Sequence, residues 1–203
     1  MNLFDVRQVT VPVSGTDEAF PVRRIYCIGR NYEEHVEEMG YDVKRSKPYY
    51  FAKPADAIVL SGGSVAYPPK TTDLHHEIEL VVAIGKRGRD VTVAEALDYV
   101  YGYAVGIDLT RRDLQRAAKE KARPWETAKG FDQSAPISPI HRVSETGHPE
   151  SGRIWLAVNE GIRQDADINE IIWNVDESVA ELSTLFELAP GDLLYTGTPA
   201  GVG

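Results

Sequence analysis

Residues 73–85 read DLHHEIELVVAIG, in which two histidines and two glutamates stand at the head of an apolar run. From Ile78 onward it is rich in Val and Ile and has the length of a strand buried on both faces. Side chains alternate along a strand, so Glu77 and Glu79 project to the same face of the predicted sheet. Two carboxylates on a buried face repel each other, and such a pair either retains one proton or binds a cation.

A third carboxylate extends this acidic pair. The segment YGYAVGID, residues 101–108, predicts another strand that ends at Asp108, which meets Glu77 and Glu79 if the two strands are neighbours. Oxygen ligands of this kind suit Mg²⁺, Mn²⁺ or Ca²⁺. The plainer alternative is that Glu77 and Glu79 face water at a strand end while Asp108 caps the next helix. Spacing alone leaves both open, because an E-x-E pair is a weak motif.

Composition excludes several classes of protein. The chain has 203 residues, enough for a single catalytic domain over 1–203. Lys plus Arg number 22 against 31 Asp plus Glu, a net charge of -9 that disfavours binding to nucleic acid. The single cysteine, Cys27, cannot form an intrachain disulfide and fits a reducing compartment. The first residues resemble neither a leader nor a membrane span, so we expect a cytoplasmic protein without membrane contact.

The order of elements predicts a β-rich α+β domain. Residues 1–23 predict N-terminal strands, because apolar positions alternate around a polar turn. The segment LTRRDLQRAAKEKAR, 109–123, predicts a helix in which Thr110 and Asp113 form a capping pair. The following segment, 124–140, is too broken for either regular element.

An acidic helix predicted near the N-terminus carries a histidine. The segment GRNYEEHVEEMG predicts a short helix over 31–40, on which His35 and Glu38 are neighbours on one face. A carboxylate beside an imidazole raises its basicity, which produces a general base for water. An exposed acidic helix with an incidental histidine explains the same pattern.

Cationic and polar residues are scattered through turn-rich segments of this acidic chain. Near a metal, a few Lys and Arg side chains indicate a small anionic substrate such as a carboxylate. A surface position is the commoner fate of any single Lys or Arg. The candidates are Arg30, Lys53, Arg112, Gln115, Lys129 and Thr198.

Taken together, seven segments resemble the fumarylacetoacetate hydrolase superfamily, and within it the bacterial acylpyruvate hydrolases. They run in the family's order over nearly the whole chain. The segments are IYCIGRNYEEHVEEMG, YYFAKPADAIV, DLHHEIELVVAIG, YGYAVGIDLTRRDLQ, WETAKGFDQSAPISP, IWLAVNEGIRQDADINEIIW and LAPGDLLYTGTPAGVG.

This resemblance implies a fold and a metal centre. The fold is a mixed β-sheet roll of the family's C-terminal-domain type with a short lid helix, paired as a homodimer. The metal is Mg²⁺ or Mn²⁺, with Ca²⁺ possible in a crystal, held by Glu77, Glu79 and Asp108. His35 and Glu38 match the family's water-activating dyad. Relatives continue past GTPAGVG for a few strands, so we expect the last strands to lie beyond residue 203 or to be missing.

The resemblance also implies an activity. The implied reaction is hydrolysis of a carbon–carbon bond in an anionic 2-oxo acid, an acylpyruvate such as the fumarylpyruvate of gentisate breakdown. Lys129 matches the family's active-site lysine. Substrate-contacting positions match at Arg112, Gln115 and Thr198, and Arg30 and Lys53 fall within matching motifs.

Two alternatives stay open. Relatives include oxaloacetate decarboxylases and 2-oxo-acid isomerases or tautomerases, which share the metal but change the reaction. Presence of His35 and Glu38 favours hydrolysis, because decarboxylation needs no attacking water. A non-catalytic module that binds carboxylates through a metal would be marked by loss of this dyad or of Lys129, and neither is lost.

Overall fold

The centre of the fold is a long strand buried on both faces. The structure, a computed structural model, describes residues 3–32 and 47–203. The strand Ile78–Ile84 is buried at every position, as its apolar sequence predicts. It pairs antiparallel with the strand Val100–Ile107 on one side and with Asp192–Tyr195 on the other.

These strands belong to an eight-stranded mixed sheet. Among the described residues, the strands are β1 (Thr10–Pro12), β2 (Ala19–Pro21), β3 (Arg24–Gly29), β4 (Tyr49–Lys53), β5 (Ile58–Leu60), β6 (Leu74–His75), β7 (Ile78–Ile84), β8 (Val100–Ile107), β9 (Thr110–Arg111), β10 (Ala135–Ile137), β11 (His141–Arg142), β12 (Arg153–Val158), β13 (Gly161–Asp167) and β14 (Asp192–Tyr195). The order in the sheet is β4-β3-β14-β7-β8-β10-β5, with β11 paired to β8. The β3–β14 and β5–β10 pairs are parallel and the others antiparallel.

The helices of the described residues are short. They are α1 (Val93–Ala96), α2 (Arg112–Glu120), α3 (Glu126–Lys129), α4 (Val143–Thr146) and α5 (Val175–Leu185). The longest, α5, begins with a capping box in which Asn174 and Glu177 exchange side-chain and backbone hydrogen bonds. Such a cap satisfies backbone N–H groups that the first helical turn leaves without partners.

Apolar cores lie on both faces of the sheet. On one face Leu80 and Val82 of β7 belong to a cluster with Val179 and Leu182 of α5. On the other face, Val81 belongs to a cluster with residues of β1, β3 and β14. Each fully buried Val, Leu or Ile contributes about 1.5–3 kcal/mol. Because side chains alternate, Glu77 and Glu79 share the face of Val81.

A glycine in β8 permits close packing next to the acidic pair. Gly106 lies opposite Glu79 in the β7–β8 ladder. A Cβ atom added at Gly106 would lie 2.5 Å from Cε1 of Tyr195 and 2.7 Å from Cγ2 of Val81. The Tyr195 ring therefore occupies the space that a side chain at position 106 would need.

Two local predictions are wrong. Helix α2 begins at Arg112, and Thr110 lies in β9 instead of forming a capping pair with Asp113. The Asp113 carboxylate accepts hydrogen bonds from Thr71 Oγ1 at 2.6 Å and Thr72 N at 3.1 Å. Its partners therefore lie in a distant loop and do not include Thr110. The broken segment 124–140 contains α3 and β10, which are too short to produce a periodic pattern.

The predicted helix over 31–40 lies almost entirely outside the described residues, and with it His35 and Glu38. Tyr32 forms an isolated β-bridge with Ile171. The Asn31 amide donates hydrogen bonds to the carbonyls of Trp173 at 3.0 Å and Thr196 at 2.7 Å. Within the described ranges, no helix is long and apolar enough to cross a membrane.

Candidate active site

Three carboxylates converge where β7 begins and β8 ends. Ile78 and Ile107 are partners in this antiparallel ladder, so Glu77 and Glu79 lie beside Asp108. One carboxylate oxygen from each lies within 4.8 Å of the others. Glu77 is 5% exposed, Glu79 1% and Asp108 0%. The alternative in which these carboxylates face water is therefore wrong.

Of the three carboxylates, Glu79 is the one without a described ion pair to Lys or Arg. Burial, followed by repulsion from Asp108 and Glu77, raises its pKa well above the ordinary value. In the part of the chain that the structure describes, its hydrogen bond comes from Gly197 N, at 2.8 Å from Oε2. A buried carboxylate in this setting is stabilised by a proton or a cation. Three hard oxygen donors fit Mg²⁺ or Mn²⁺, which prefer carboxylates and keep positions open for water or substrate.

Lys129, at the end of α3, binds two members of the triad. Its Nζ donates to Glu77 Oε2 and Asp108 Oδ2, both at 2.7 Å, and to Thr110 Oγ1 at 2.6 Å. Burial lowers the pKa of Lys129, but attraction to Asp108 and Glu77 outweighs it, so that pKa lies above the ordinary value. The lysine therefore carries a fixed positive charge. Thr110 is a site residue that sequence reasoning missed.

Lys53, at the end of β4, lies behind the triad. Its Nζ is 2.7 Å from Asp108 Oδ1, and it donates to the carbonyl of Leu109 at 3.1 Å and to that of Lys129. These contacts join β4 to α3 and neutralise Asp108. Lys53 was predicted to bind substrate, and the structure places it outside the described lining of the pocket.

Arg112 and Gln115 occupy one face of α2, as predicted. Arg112 donates through Nη2 to Glu77 Oε1 and through Nη1 to Gln115 Oε1 at 2.7 Å. Its Nε donates to Nδ1 of His75 at 3.2 Å, and Nε2 of His75 lies 2.9 Å from Asp73 Oδ1. These partners assign the imidazole hydrogen to Nε2.

Burial and the positive charge of Arg112 lower the pKa of His75. A neutral His75 can accept from Arg112 and donate to Asp73 at the same time. The histidine therefore orients the guanidinium. It stands in the stretch DLHHEIE, in which the glutamates but not the histidines were predicted site residues.

A buried glutamine connects the hairpin β12–β13 to the site. Gln164 accepts a hydrogen bond from Ile78 N at 2.9 Å. Its amide nitrogen donates to Thr198 Oγ1 at 2.8 Å and to the carbonyl of Pro199 at 2.9 Å. No local sequence signal indicates that this glutamine, in an otherwise exposed hairpin, is buried at the site.

A pocket opens above the triad and collects most of the predicted residues. Of the predicted set, Arg30, Arg112, Gln115, Lys129 and Thr198 line it. Sequence reasoning missed Lys119 and the aromatic residues of the lining, Tyr49, Phe51 and Trp125. The described lining consists of Ile28, Gly29, Arg30, Tyr49, Phe51, Glu77, Glu79, Arg112, Gln115, Lys119, Trp125, Lys129 and Thr198.

Known proteins are similar to this chain in sequence and in fold. Residues 24–203 match the family described as fumarylacetoacetate (FAA) hydrolase C-terminal. A fumarylpyruvate hydrolase from a Ralstonia species is 47% identical over 167 residues, which cover 81% of this chain and 86% of the relative. A mitochondrial oxaloacetate decarboxylase from Dictyostelium discoideum is 40% identical over 185 residues, covering 89% of this chain and 83% of that one.

A solved structure is similar over the whole chain. Fumarylpyruvate hydrolase from Pseudomonas aeruginosa, in complex with Mn²⁺ and pyruvate, has a TM-score of 0.97 and 51% identity, covering 100% of this chain and 89% of that chain. This likeness confirms the predicted β-rich mixed sheet. The acidic triad has the donor atoms that could hold the predicted divalent cation. The predicted resemblance and enzyme class, a hydrolase of this family, are confirmed as well. The chain belongs to the fumarylacetoacetate hydrolase family.

Proposed function

We propose that this protein is a divalent-metal-dependent acylpyruvate hydrolase whose substrate is fumarylpyruvate, cleaved to pyruvate and fumarate. The observation that carries the proposal is the buried triad beside Lys129 and Arg112, since it pairs a metal site with cations suited to a 2-oxo acid. The similarity to a fumarylpyruvate hydrolase bound to Mn²⁺ and pyruvate supports it.

The triad is the proposed metal site. Glu77, Glu79 and Asp108 would hold Mg²⁺ or Mn²⁺. When bound, the cation supplies positive charge where negative charge develops during cleavage of the carbon–carbon bond. Glu79 gains most from such a cation, because burial and two neighbouring carboxylates disfavour its ionised form.

The pyruvate end of the substrate is assigned to Arg112 and Lys129. A guanidinium has five N–H donors, and the described contacts of Arg112 use three of them. The remaining donors can bind the substrate carboxylate, and Lys129 adds a fixed charge that needs no reorganisation during the reaction. Gln115 and Thr198 would complete the polar contacts from the pocket lining.

Hydrolysis also needs a base for the attacking water. We assign this role to His35, oriented by Glu38, on the basis of their spacing in the sequence and the family resemblance. Both residues lie outside the described ranges. His35→Ala is therefore expected to abolish hydrolysis of fumarylpyruvate while leaving metal affinity nearly unchanged. Turnover at the wild-type rate would contradict this assignment.

Oxaloacetate decarboxylation or tautomerisation is the second candidate. The similarity to the Dictyostelium decarboxylase favours it. Because decarboxylation needs no attacking water, His35→Ala would leave it intact while hydrolysis is lost. A metal-dependent binding module without catalysis is the remaining alternative, and it predicts binding of carboxylates without turnover of any of these substrates.

The deciding experiment follows loss of the enol absorbance of fumarylpyruvate and acetylpyruvate together with release of pyruvate. The protein is first treated with a chelator and then assayed with and without Mg²⁺ or Mn²⁺. We expect metal-dependent release of pyruvate. No release from either substrate, in a protein that the metal stabilises thermally, would contradict the hydrolase and make oxaloacetate the next substrate.

Three further proposals concern the pathway, the cellular compartment and the oligomeric state. We propose that the protein acts in the gentisate pathway, in the cytoplasm, as a homodimer with one catalytic domain per chain. Support for the dimer comes from Trp155 and Ile162 in the hairpin β12–β13, which are 51% and 53% exposed. Light scattering at micromolar concentration tests it, and a monomer mass would contradict it.

A further inference from the structure

Asn31 is a buried amide whose orientation is fixed by its hydrogen-bond partners. The residue is 0% exposed. The N–H of Trp173 can only donate, so the Asn31 oxygen Oδ1 faces it, at 2.8 Å. The Asn31 nitrogen Nδ2 then faces two carbonyl oxygens, that of Trp173 at 3.0 Å and that of Thr196 at 2.7 Å. Both hydrogens of this amide and its oxygen are thus used within the protein.

The bond to Thr196 acts on the peptide group that contacts Glu79. The carbonyl of Thr196 and the N–H of Gly197 belong to one peptide, which is trans. In a trans peptide the C=O and the N–H point in opposite directions. The C=O therefore points to Asn31 Nδ2, and the N–H points to Glu79 Oε2 at 2.8 Å. Rotation of this peptide away from Asn31 would also turn the N–H away from Glu79.

The backbone around this peptide is tightly constrained. Thr196 N and Thr196 Oγ1 both donate to the carbonyl of Leu80, at 3.1 and 2.9 Å, next to Glu79 in the chain. Gly197 has a φ of +97°, which side chains rarely allow, and a Cβ atom added there would lie 2.7 Å from Cβ of Asn31. The close approach of Asn31 to the 196–197 peptide therefore requires glycine at position 197.

The chain reaches Asn31 through a strained turn. Arg30, which follows the last residue of β3, has a φ of 60°, in the left-handed region. Such conformations persist where the surrounding structure determines them, and they cluster at functional sites. The carbonyl of Asn31 accepts a hydrogen bond from Ile172 N at 2.8 Å, so the main chain and the side chain of Asn31 are both held. The turn thus places the amide that orients the 196–197 peptide.

Glu79 depends on this peptide more than the other two carboxylates do. Glu77 and Asp108 form ion pairs with Lys or Arg side chains. Among the described residues, the hydrogen bond to Glu79 comes from Gly197 N and uses Oε2. Chains of hydrogen bonds polarise one another, so the bond that Asn31 makes to the same peptide strengthens this one. The peptide therefore fixes the rotation of the Glu79 carboxylate and decides which oxygen is left for a cation.

We propose that Asn31 is a positioning residue for the metal site, because it orients the 196–197 peptide and through it the Glu79 carboxylate that would hold Mg²⁺ or Mn²⁺. The inference rests on the proposed function, since it takes Glu79 as a metal ligand. Loss of a hydrogen-bond partner of a ligating side chain typically costs about 10–100-fold in metal affinity. Asn31 acts one peptide further out, so its loss should cost about tenfold, the lower end of that range.

A purely structural role for Asn31 has a different consequence. Asn31 also joins the end of β3 to the segment that contains Ile172 and Trp173. If that were its whole role, its loss would lower the stability of the protein and leave the affinity for Mn²⁺ unchanged.

Asn31→Leu tests the proposal, because leucine has the same branched shape and no hydrogen-bonding group. We expect the affinity for Mn²⁺, measured by calorimetry, to fall about tenfold. Asn174→Leu is the matched control, since Asn174 accepts from Glu177 N as the cap of α5, away from the 196–197 peptide. Loss of this cap lowers stability, but the affinity for Mn²⁺ should stay within about twofold of the wild type. Equal Mn²⁺ affinity in Asn31→Leu and the wild type would overturn the proposal.

Amide hydrogen exchange in the metal-free protein measures the orientation itself. Gly197 N donates to Glu79 and Thr196 N donates to the carbonyl of Leu80, so two adjacent amides provide an internal comparison. In Asn31→Leu we expect Gly197 to exchange at least about fivefold faster relative to Thr196, the effect of one lost hydrogen bond. General loosening of this segment would accelerate both amides equally, and an unchanged ratio would overturn the positioning role.

The outcomes separate this inference from the proposed hydrolase. A wild type that binds Mn²⁺ but cleaves neither acylpyruvate would refute the hydrolase, while the Mn²⁺ affinity of Asn31→Leu still decides the positioning role. Cleavage by the wild type, with equal Mn²⁺ affinity in Asn31→Leu, would refute the positioning role alone. A wild type that binds no Mn²⁺ would refute both. Should Asn31→Leu fail to fold, Asn31→Ser takes its place, because its hydroxyl is one bond shorter than the amide and ends short of the Thr196 carbonyl.

Discussion

The ammonium of Lys129 lies 2.7 Å from a carboxylate oxygen of Glu77, and both side chains are almost completely buried. A buried ion pair adds little net stability, but removing one partner leaves an uncompensated charge that costs about 3–5 kcal/mol. In this site the cost depends on what else neutralises the carboxylates.

We expect Lys129→Met to destabilise the metal-free protein by about 3–5 kcal/mol. Urea unfolding at neutral pH, with Lys121→Met as the control of equal residue type, measures it. In the presence of Mn²⁺ the loss should be smaller, because the bound cation compensates the same carboxylates. An equal loss with and without Mn²⁺ would count against a shared electrostatic site.

Glu79→Gln is expected to weaken Mn²⁺ binding at least about tenfold, since one charged ligand of three is lost. Calorimetry measures the affinity directly. Asp165→Asn is a suitable control, because that carboxylate pairs with Arg153 on the exposed hairpin. Unchanged Mn²⁺ affinity in Glu79→Gln would exclude Glu79 as a ligand.

The same carboxylate predicts a dependence of stability on pH. Its pKa in the folded protein is raised above the ordinary value of 4.5, so the folded state retains a proton that the unfolded state releases. The metal-free protein should therefore lose stability as pH rises from about 4.5 through the folded-state pKa. Thermal melting between pH 5 and 8 should show a steeper decline for the wild type than for Glu79→Gln. Parallel curves would contradict the raised pKa.

His75 is expected to act as a positioning residue for Arg112. His75→Leu removes the acceptor of the Arg112 Nε hydrogen bond, which should lower kcat/KM about five- to tenfold. His75→Asn can place its amide oxygen near the position of Nδ1 and should restore most of the activity. If both variants lose the same activity without loss of stability, orientation of Arg112 is not the cause.

Gly106→Ala tests the packing beside the triad. The added methyl group would contact the Tyr195 ring at 2.5 Å, and overpacking of this kind costs about 1–3 kcal/mol. Gly161→Ala is the matched control, because the nearest atom to its added Cβ is a carbonyl oxygen 3.8 Å away. The difference between the two variants in urea unfolding measures the effect, and equal stabilities would contradict it.

The common face of Glu77 and Glu79 could be predicted from sequence because strand alternation is local, whereas the choice of a metal site over a water-facing pair needed the family resemblance. Alternation along β7 sets the faces of Glu77 and Glu79, and the antiparallel neighbour β8 ends at Asp108. Thr110 could not be predicted, because its spacing to Asp113 favours a helix cap while its hydroxyl donates instead to Glu77, 33 positions away. Lys119 and Gln164 likewise take their surroundings from distant segments that no periodic pattern reveals.

The buried amide of Gln164 also decides what kind of atom Thr198 can bind. Ile78 N can only donate, so the amide oxygen of Gln164 must face it and the amide nitrogen must face Thr198. The Thr198 oxygen thus already accepts a hydrogen bond, and its own hydrogen is available toward the pocket. The Thr198 hydroxyl can therefore donate to a carboxylate or carbonyl oxygen of a ligand while it keeps the hydrogen bond from Gln164.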